Sequence, residues 1–149
     1  MHDLSLYEIG ECSLSLPVGV DPPSDELGVI AATRELYGKR GFRLPWVCYL
    51  GVLGAKCVGT CGFTGPPKDG EVEIAYFTFP GNEGRGVATS MARSLVEIAL
   101  GAESPGLRVV AYTLPDKGAS TCILEKVGLK YVGDIEHEED GRVWKWALA

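Results

Sequence analysis

The spacing of apolar positions changes several times along the chain, and each change predicts an element. Residues 5–16 mix apolar and polar positions and predict a weak strand. Asp21-Pro22-Pro23-Ser24 reads as a turn with a possible N-cap, and Asp25 and Glu26 suit the positive first turn of a helix. That helix is predicted from Asp25 to about Tyr37, carrying Leu27, Ile30, Ala31, Arg34 and Leu36, with Gly38 and Gly41 stopping it. Two apolar strands follow, Trp46–Leu53 and Lys56–Thr64, joined by Gly54-Ala55 as a two-residue hairpin. Residues 65–70 (Gly-Pro-Pro-Lys-Asp-Gly) form a loop, and Glu71–Phe79 is the third strand of this meander.

From Gly86 the period becomes helical: Val87, Met91, Leu95 and Ile98 recur through Leu100. Leu107–Thr113 predicts a buried strand. Asp116 is a candidate cap for a short helix from about Gly118 to Val127, with Gly128 just past its end. Leu129–Glu136 and Arg142–Leu148 predict a closing hairpin around Glu138-Glu139-Asp140-Gly141. The order is β, α, three antiparallel strands, α, β, α, β, β. It predicts an α+β fold: a mixed, mostly antiparallel sheet of about six or seven strands with helices on both faces.

Length changes this picture little, since 149 residues suit one domain spanning 1–149. Charge excludes more. Fourteen basic against twenty acidic residues give a net charge of −6, which argues against a nucleic-acid surface and mildly favours a cationic partner such as an amine. The five cysteines, Cys12, Cys48, Cys57, Cys61 and Cys122, show no zinc spacing, so no metal is expected. They read as small buried hydrophobes in a reducing compartment. The first twenty residues lack the apolar run of a signal peptide and nothing reaches a membrane-spanning length, so a cytoplasmic protein without membrane contact is expected.

The segment richest in candidate chemistry runs from Phe79 through Pro80, Gly81, Asn82, Glu83, Gly84, Arg85, Gly86, Val87 and Ala88 to Thr89. A strand ends, glycines permit a tight turn, and a helix begins at once. Helix N-termini present unpaired amides and a positive dipole, so they bind anionic phosphates. Glycines at 84 and 86 let the backbone approach an anion, and Arg85 adds a cation. No Gly-Lys-Ser/Thr follows, so it is not a P-loop. The preceding meander is not a βαβ unit, which argues against a dinucleotide-binding oxidoreductase. An anion-binding helix start and a plain strand-to-helix turn both remain open at this point.

The segment Glu83-Gly84-Arg85-Gly86-Val87-Ala88 resembles the signature Gln/Arg-x-x-Gly-x-Gly/Ala of the GNAT family of acetyl-CoA-dependent N-acetyltransferases. A second stretch agrees: Thr113–Ser120, then Leu124-Glu125-Lys126-Val127-Gly128-Leu129, with Tyr131-Val132-Gly133 after it. It is similar to the branch that acetylates ribosomal-protein N-termini. The resemblance covers about residues 46–148. It implies acetyl-CoA as co-substrate and an amine acceptor, such as a peptide N-terminus or a small amine, for a monomer or homodimer. It also implies that main-chain groups of Phe77, Thr78 and Phe79 pair with the pantetheine arm. Amides from Gly84 through Arg85, Gly86, Val87 and Ala88 to Thr89 would cradle the pyrophosphate, and Ala119 and Ser120 would flank the thiol end. Glu83 departs from the family pattern, as do Lys117 where Asn is usual, Leu124 where many members keep a tyrosine acid, and Leu129 where Phe is usual.

Acetyl transfer needs a base for the amine, donors for the developing oxyanion and an acid for the thiolate. The family's base carboxylate matches Glu73, and alternation puts Glu71, Glu73, Ala75 and Phe77 on one strand face. Glu136 and His137 are rival bases. Ser120 is the first candidate acid, with Tyr112 and Tyr131 as alternatives. The splayed strand after Phe77 is the expected source of oxyanion donors, and Trp144 and Trp146 share a face of the last strand. A non-catalytic acyl-CoA sensor of the same fold is the alternative function.

Overall fold

The computed structural model describes residues 4–23, 28–102, 106–137 and 141–148. Its elements are β1 (Leu4–Glu8), α1 (Val29–Arg40), β2 (Cys48–Leu53), β3 (Lys56–Phe63), β4 (Glu71–Thr78), α2 (Val87–Gly101), β5 (Arg108–Thr113), α3 (Ala119–Lys126), β6 (Leu129–His137) and β7 (Gly141–Leu148). The strands form one seven-stranded sheet in the order β1-β2-β3-β4-β5-β7-β6. Only β4 and β5 run parallel; the other neighbours are antiparallel. The predicted α+β class and strand number hold.

Several predicted boundaries shift for local reasons. The weak strand over 5–16 shortens to β1, because Gly10 donates its amide to the Ser13 carbonyl at 2.8 Å and turns the chain. Helix α1 runs through Gly38 and ends only at Gly41, whose φ of 95° favours glycine. Ser24, Asp25 and Glu26, and most of the acidic turn before Gly141, lie outside the described residues. Asp116 does not cap α3. Gly118 occupies that position, and its amide donates to Thr121 Oγ1 at 3.0 Å.

Helix α2 packs on β3 and β4, and α3 on β5 and β6. Glycines set how closely α2 sits. A Cβ on Gly59 would lie 2.7 Å from the Phe77 carbonyl oxygen and 2.9 Å from the Met91 terminal methyl. Met91 therefore seats over bare backbone at Gly51 and Gly59 and is fully buried. Alternation carries this face along β4 as Val72, Ile74, Tyr76 and Thr78, because Ile74 sits opposite Phe63 and Thr78 opposite Gly59.

Glu71, Glu73, Ala75 and Phe77 take the other face, as alternation predicts, and α1 lies on that side. Thr33 and Leu36 of α1 share a small recess with Ala75 and Phe77. Tyr37 fastens α1 to the sheet: its hydroxyl donates to the Ile9 carbonyl at 2.7 Å and accepts from the Cys48 amide at 2.9 Å.

The sheet parts at its centre. β4 and β5 pair only over Glu71–Glu73 and Arg108–Val110. Beyond Glu73 the edge of β4 that faces β5 has no strand against it among the described residues, while its other edge stays paired with β3. Parting thus begins after Glu73, earlier than the expected point after Phe77.

Candidate active site

The parted strands open a cleft of about 430 Å³ whose walls include Glu73 and Tyr76 of β4, Tyr112 of β5, and Ser120, Thr121 and Leu124 of α3. It continues into an outer cleft of about 500 Å³ lined by Thr78, Gly86, Ala88 and Thr89 on one side and Ile123 and Lys126 on the other. Tyr76, Ala119 and Ser120 line both volumes and mark their junction. Glu73 and Ser120, separated by nearly fifty positions in sequence, thus share one cavity.

The open edge of β4 has a definite register. Thr64 donates its amide to the Glu73 carbonyl at 3.0 Å, and Phe79 donates to Val58 at 2.9 Å. Antiparallel ladders alternate, so Glu73, Ala75, Phe77 and Phe79 turn their main-chain groups toward β3. Ile74, Tyr76 and Thr78 turn theirs toward the cleft. Of the expected trio Phe77, Thr78 and Phe79, Phe77 and Thr78 line the outer cleft, but only Thr78 turns its main-chain groups toward it; the Phe79 amide is already used. A ligand paired along this edge would meet Tyr76 and Thr78.

At the outer end, Gly84 and Gly86 have φ of 78° and 73°, in the left-handed region that favours glycine. A Cβ on either would meet nothing within 4 Å, so backbone conformation and not space selects glycine there. Helix α2 starts without a side-chain cap and without an acid in its first turn. The first helical bond from this end joins the Ser90 amide to the Gly86 carbonyl at 3.0 Å, leaving the Val87, Ala88 and Thr89 amides at the helix start. Val87 buries its side chain in the core, so its amide is what it offers the cleft. Arg85 is exposed beside the turn.

Glu83 bends back on the loop. Its Oε1 accepts the Gly81 amide at 2.7 Å, which holds the carboxylate within the turn. Asn82 is buried, its Nδ2 donating to the Phe79 carbonyl at 3.2 Å. Across the cleft stands Lys126, a cation that sequence reasoning missed. Its signal was present: Ala119, Ile123 and Lys126 fall at i, i+4 and i+7 and share one stripe of α3. The outer cleft therefore combines a helix N-terminus with a lysine, in a chain of net charge −6.

Glu73 is half-buried on the α1 face and accepts a bond from the Thr64 hydroxyl at 3.3 Å. Beside it, Lys145 Nζ bonds both Glu71 carboxylate oxygens at 2.9 and 2.7 Å, which occupies that neighbouring acid. Tyr112 stands on the same face, and burial pushes its phenol up while Lys145 pulls it down. The rivals fare differently. Glu136 is exposed on the edge hairpin, and His137 stacks with Tyr112 at 5.5 Å. Tyr131 bonds Asp134 away from the parted strands. Trp144 and Trp146 share the face covered by α3, where Trp146 is buried and its Nε1 donates to Thr113 Oγ1 at 3.0 Å.

Tyr76 is the second residue that sequence reasoning missed. Its hydroxyl donates to the Ser120 carbonyl at 3.2 Å, across the junction of the two volumes, and burial pushes the phenol up to about 12. Among the described residues no cluster of His, Cys, Asp and Glu could hold a metal, and no helix is long and apolar enough to cross a membrane.

Comparison with known proteins bears on this arrangement. The chain's structure is similar to an acetyltransferase from Agrobacterium tumefaciens strain C58, with TM-score 0.62 and 23% identity over 87% of this chain and 72% of that one. It is similar to the microcin C7 self-immunity acetyltransferase MccE, solved with acetyl-CoA and AMP, with TM-score 0.62 and 16% identity over 85% of this chain and 71% of that one. The aminoglycoside acetyltransferase AAC(6')-Ib, solved with paromomycin and acetyl-CoA, matches with TM-score 0.59 and 18% identity over 69% of this chain and 64% of its own. At these identities the likeness establishes a shared fold. No curated protein matches the sequence. The family profile described as an acetyltransferase (GNAT) domain matches residues 17–130, most of the chain. The parted sheet, the glycine turn and this match together place the chain in the GNAT family of acetyltransferases.

Proposed function

We propose that this protein transfers the acetyl group of acetyl-CoA to a primary amine, with Glu73 as the base. One observation carries the reading: two clefts that share Tyr76, Ala119 and Ser120 run from the α2 N-terminus, along the open edge of β4, to Glu73. The pyrophosphate would lie on the Val87, Ala88 and Thr89 amides with Lys126 opposite. The pantetheine arm would add to β4 like a strand, pairing with Tyr76 and Thr78. That leads the thioester toward the point where β4 and β5 part. The acceptor would approach from the α1 face, which Glu73 shares with Phe77, a residue 47% exposed.

The chemistry follows from these placements. The amine must be neutral to attack, and Glu73 takes its proton. The new C–N bond forms as the C–S bond breaks. Amides on the open edge of β4 can donate to the carbonyl oxygen as it gains charge. Glu83 lines the same outer cleft, where the Gly81 amide holds its carboxylate within the turn. The acceptor family is broad: peptide N-termini and small amines both fit an open face. Thiol release from acetyl-CoA, measured across a panel of amines and peptide N-termini, tests the proposal. Release with at least one acceptor is expected. Tight binding of acetyl-CoA without release from any of them would favour an acyl-CoA-binding sensor instead.

A further inference from the structure

We infer that the Tyr76 hydroxyl is the hydrogen-bond donor to the departing sulfur, exchanging its present partner, the Ser120 carbonyl, for that atom when the pantetheine arm fills the cleft. The inference rests on the acetyl-transfer reading and adds the side of the reaction that Glu73 leaves unserved.

Topology makes the first argument. Glu73 and Tyr76 stand three positions apart on one strand, so their side chains leave it on opposite faces. With the amine approaching Glu73 from the α1 face, the sulfur would leave toward the face of α2 and α3. A donor for the sulfur therefore has to come from the Tyr76 side.

Elimination narrows the donors to Tyr76 and Ser120, which both line the two volumes and which the Ser120→Ala variant below separates. Tyr112 lies on the same face as Glu73, since Val110 pairs with Glu73 and Tyr112 follows two positions on. Leu124 is apolar and fully buried. The Thr121 hydroxyl donates to the Gly118 carbonyl at 2.9 Å and accepts from its amide at 3.0 Å, so it closes the start of α3. Tyr76 already stands at the junction of the two volumes, 3.2 Å from an exposed carbonyl that water can serve once the phenol turns away.

The role is donation, not proton release. A coenzyme thiol titrates near the ordinary range for thiols, about 8.5. A phenol raised by burial holds its proton against such a thiolate. In the transfer, the amine proton goes to Glu73, the C–N bond forms and the C–S bond breaks. The sulfur leaves as a thiolate held by the Tyr76 O–H, and as the product departs it takes a proton from water while Glu73 returns the amine proton to water. Tyr76 ends the cycle unchanged.

Binding measurements test this without relying on turnover. Coenzyme A and desulfo-coenzyme A, which lacks the sulfur, are titrated calorimetrically into wild type, Tyr76→Phe and Ser120→Ala. Wild type is expected to prefer coenzyme A by about tenfold, the size of one hydrogen bond. Tyr76→Phe should erase that preference while binding desulfo-coenzyme A as wild type does. Its kcat should fall roughly 10- to 100-fold, with KM for acetyl-CoA little changed and the pH profile unmoved. Should Tyr76→Phe fold poorly, 3-fluorotyrosine at position 76 keeps the shape and sharpens the donor, and should widen the preference. A preference that survives Tyr76→Phe, or that Ser120→Ala alone erases, overturns the inference and leaves the acetyl-transfer reading standing. Failure of wild type to bind either ligand overturns both.

Discussion

Glu73 and Lys126 stand at opposite ends of one cleft, and their substitution should separate chemistry from binding. Glu73→Gln keeps the shape and loses the base, so kcat should fall by roughly 10²-fold or more while the calorimetric Kd for acetyl-CoA stays within a factor of two. A wild-type rate would remove Glu73 from the reaction. Lys126→Ala should do the reverse. It is exposed, so its attraction for phosphate is screened, and a loss of a few-fold in affinity that shrinks further with salt is expected. Equal affinity at low salt would contradict its placement. Sequence alone carried the face of Glu73, because strand alternation needs no partner. It could not say which face the cleft opens on the sulfur side, so Tyr76 went unnoticed. For Phe77 and Phe79, which main-chain groups face outward depends on the register with β3, and register belongs to two strands at once.

Elements were legible where local pattern decides them, and their pairing was not. Helix α2 announced itself by the spacing of Val87, Met91 and Leu95, and its glycine start by Gly84 and Gly86. Replacing Gly86 by Ala forces a Cβ into the left-handed region at a cost of about 1–2 kcal/mol, so both Tm and acetyl-CoA affinity should fall. An unchanged Tm and affinity would show that the turn tolerates a side chain. Helix α1 overran its predicted end because one glycine inside a helix costs only about 1 kcal/mol, less than the packing around Tyr37 returns. Tyr37→Phe should unfasten α1, leaving the Ile9 carbonyl and Cys48 amide without the phenol. We expect about 1–3 kcal/mol lost in urea unfolding with kcat less affected than stability. The point where β4 parts from β5 was not legible, since nothing in Leu107–Thr113 limits its pairing to Arg108–Val110.

At the scale of the molecule, burial of titratable groups predicts how stability responds to alkali. Burial holds the phenols of Tyr49 and Tyr76 up to about 12 and the Cys48 thiol up to about 11, against ordinary values of 10.0 and 9.0. The folded chain thus keeps protons that the unfolded chain releases. The sign is fixed: stability is full below about pH 9 and falls as pH rises toward about 12. The urea midpoint should drop across that range, and a flat profile would contradict the burial. Amide hydrogen exchange followed by NMR, with and without acetyl-CoA, reads occupancy of the cleft residue by residue. New protection is expected at Tyr76 and Thr78 on the open edge of β4 and at Val87, Ala88 and Thr89 of α2. Ala75 and Phe77, already bonded to β3, should not change. Protection confined to other segments, or none on adding acetyl-CoA, would contradict acetyl-CoA binding in this cleft.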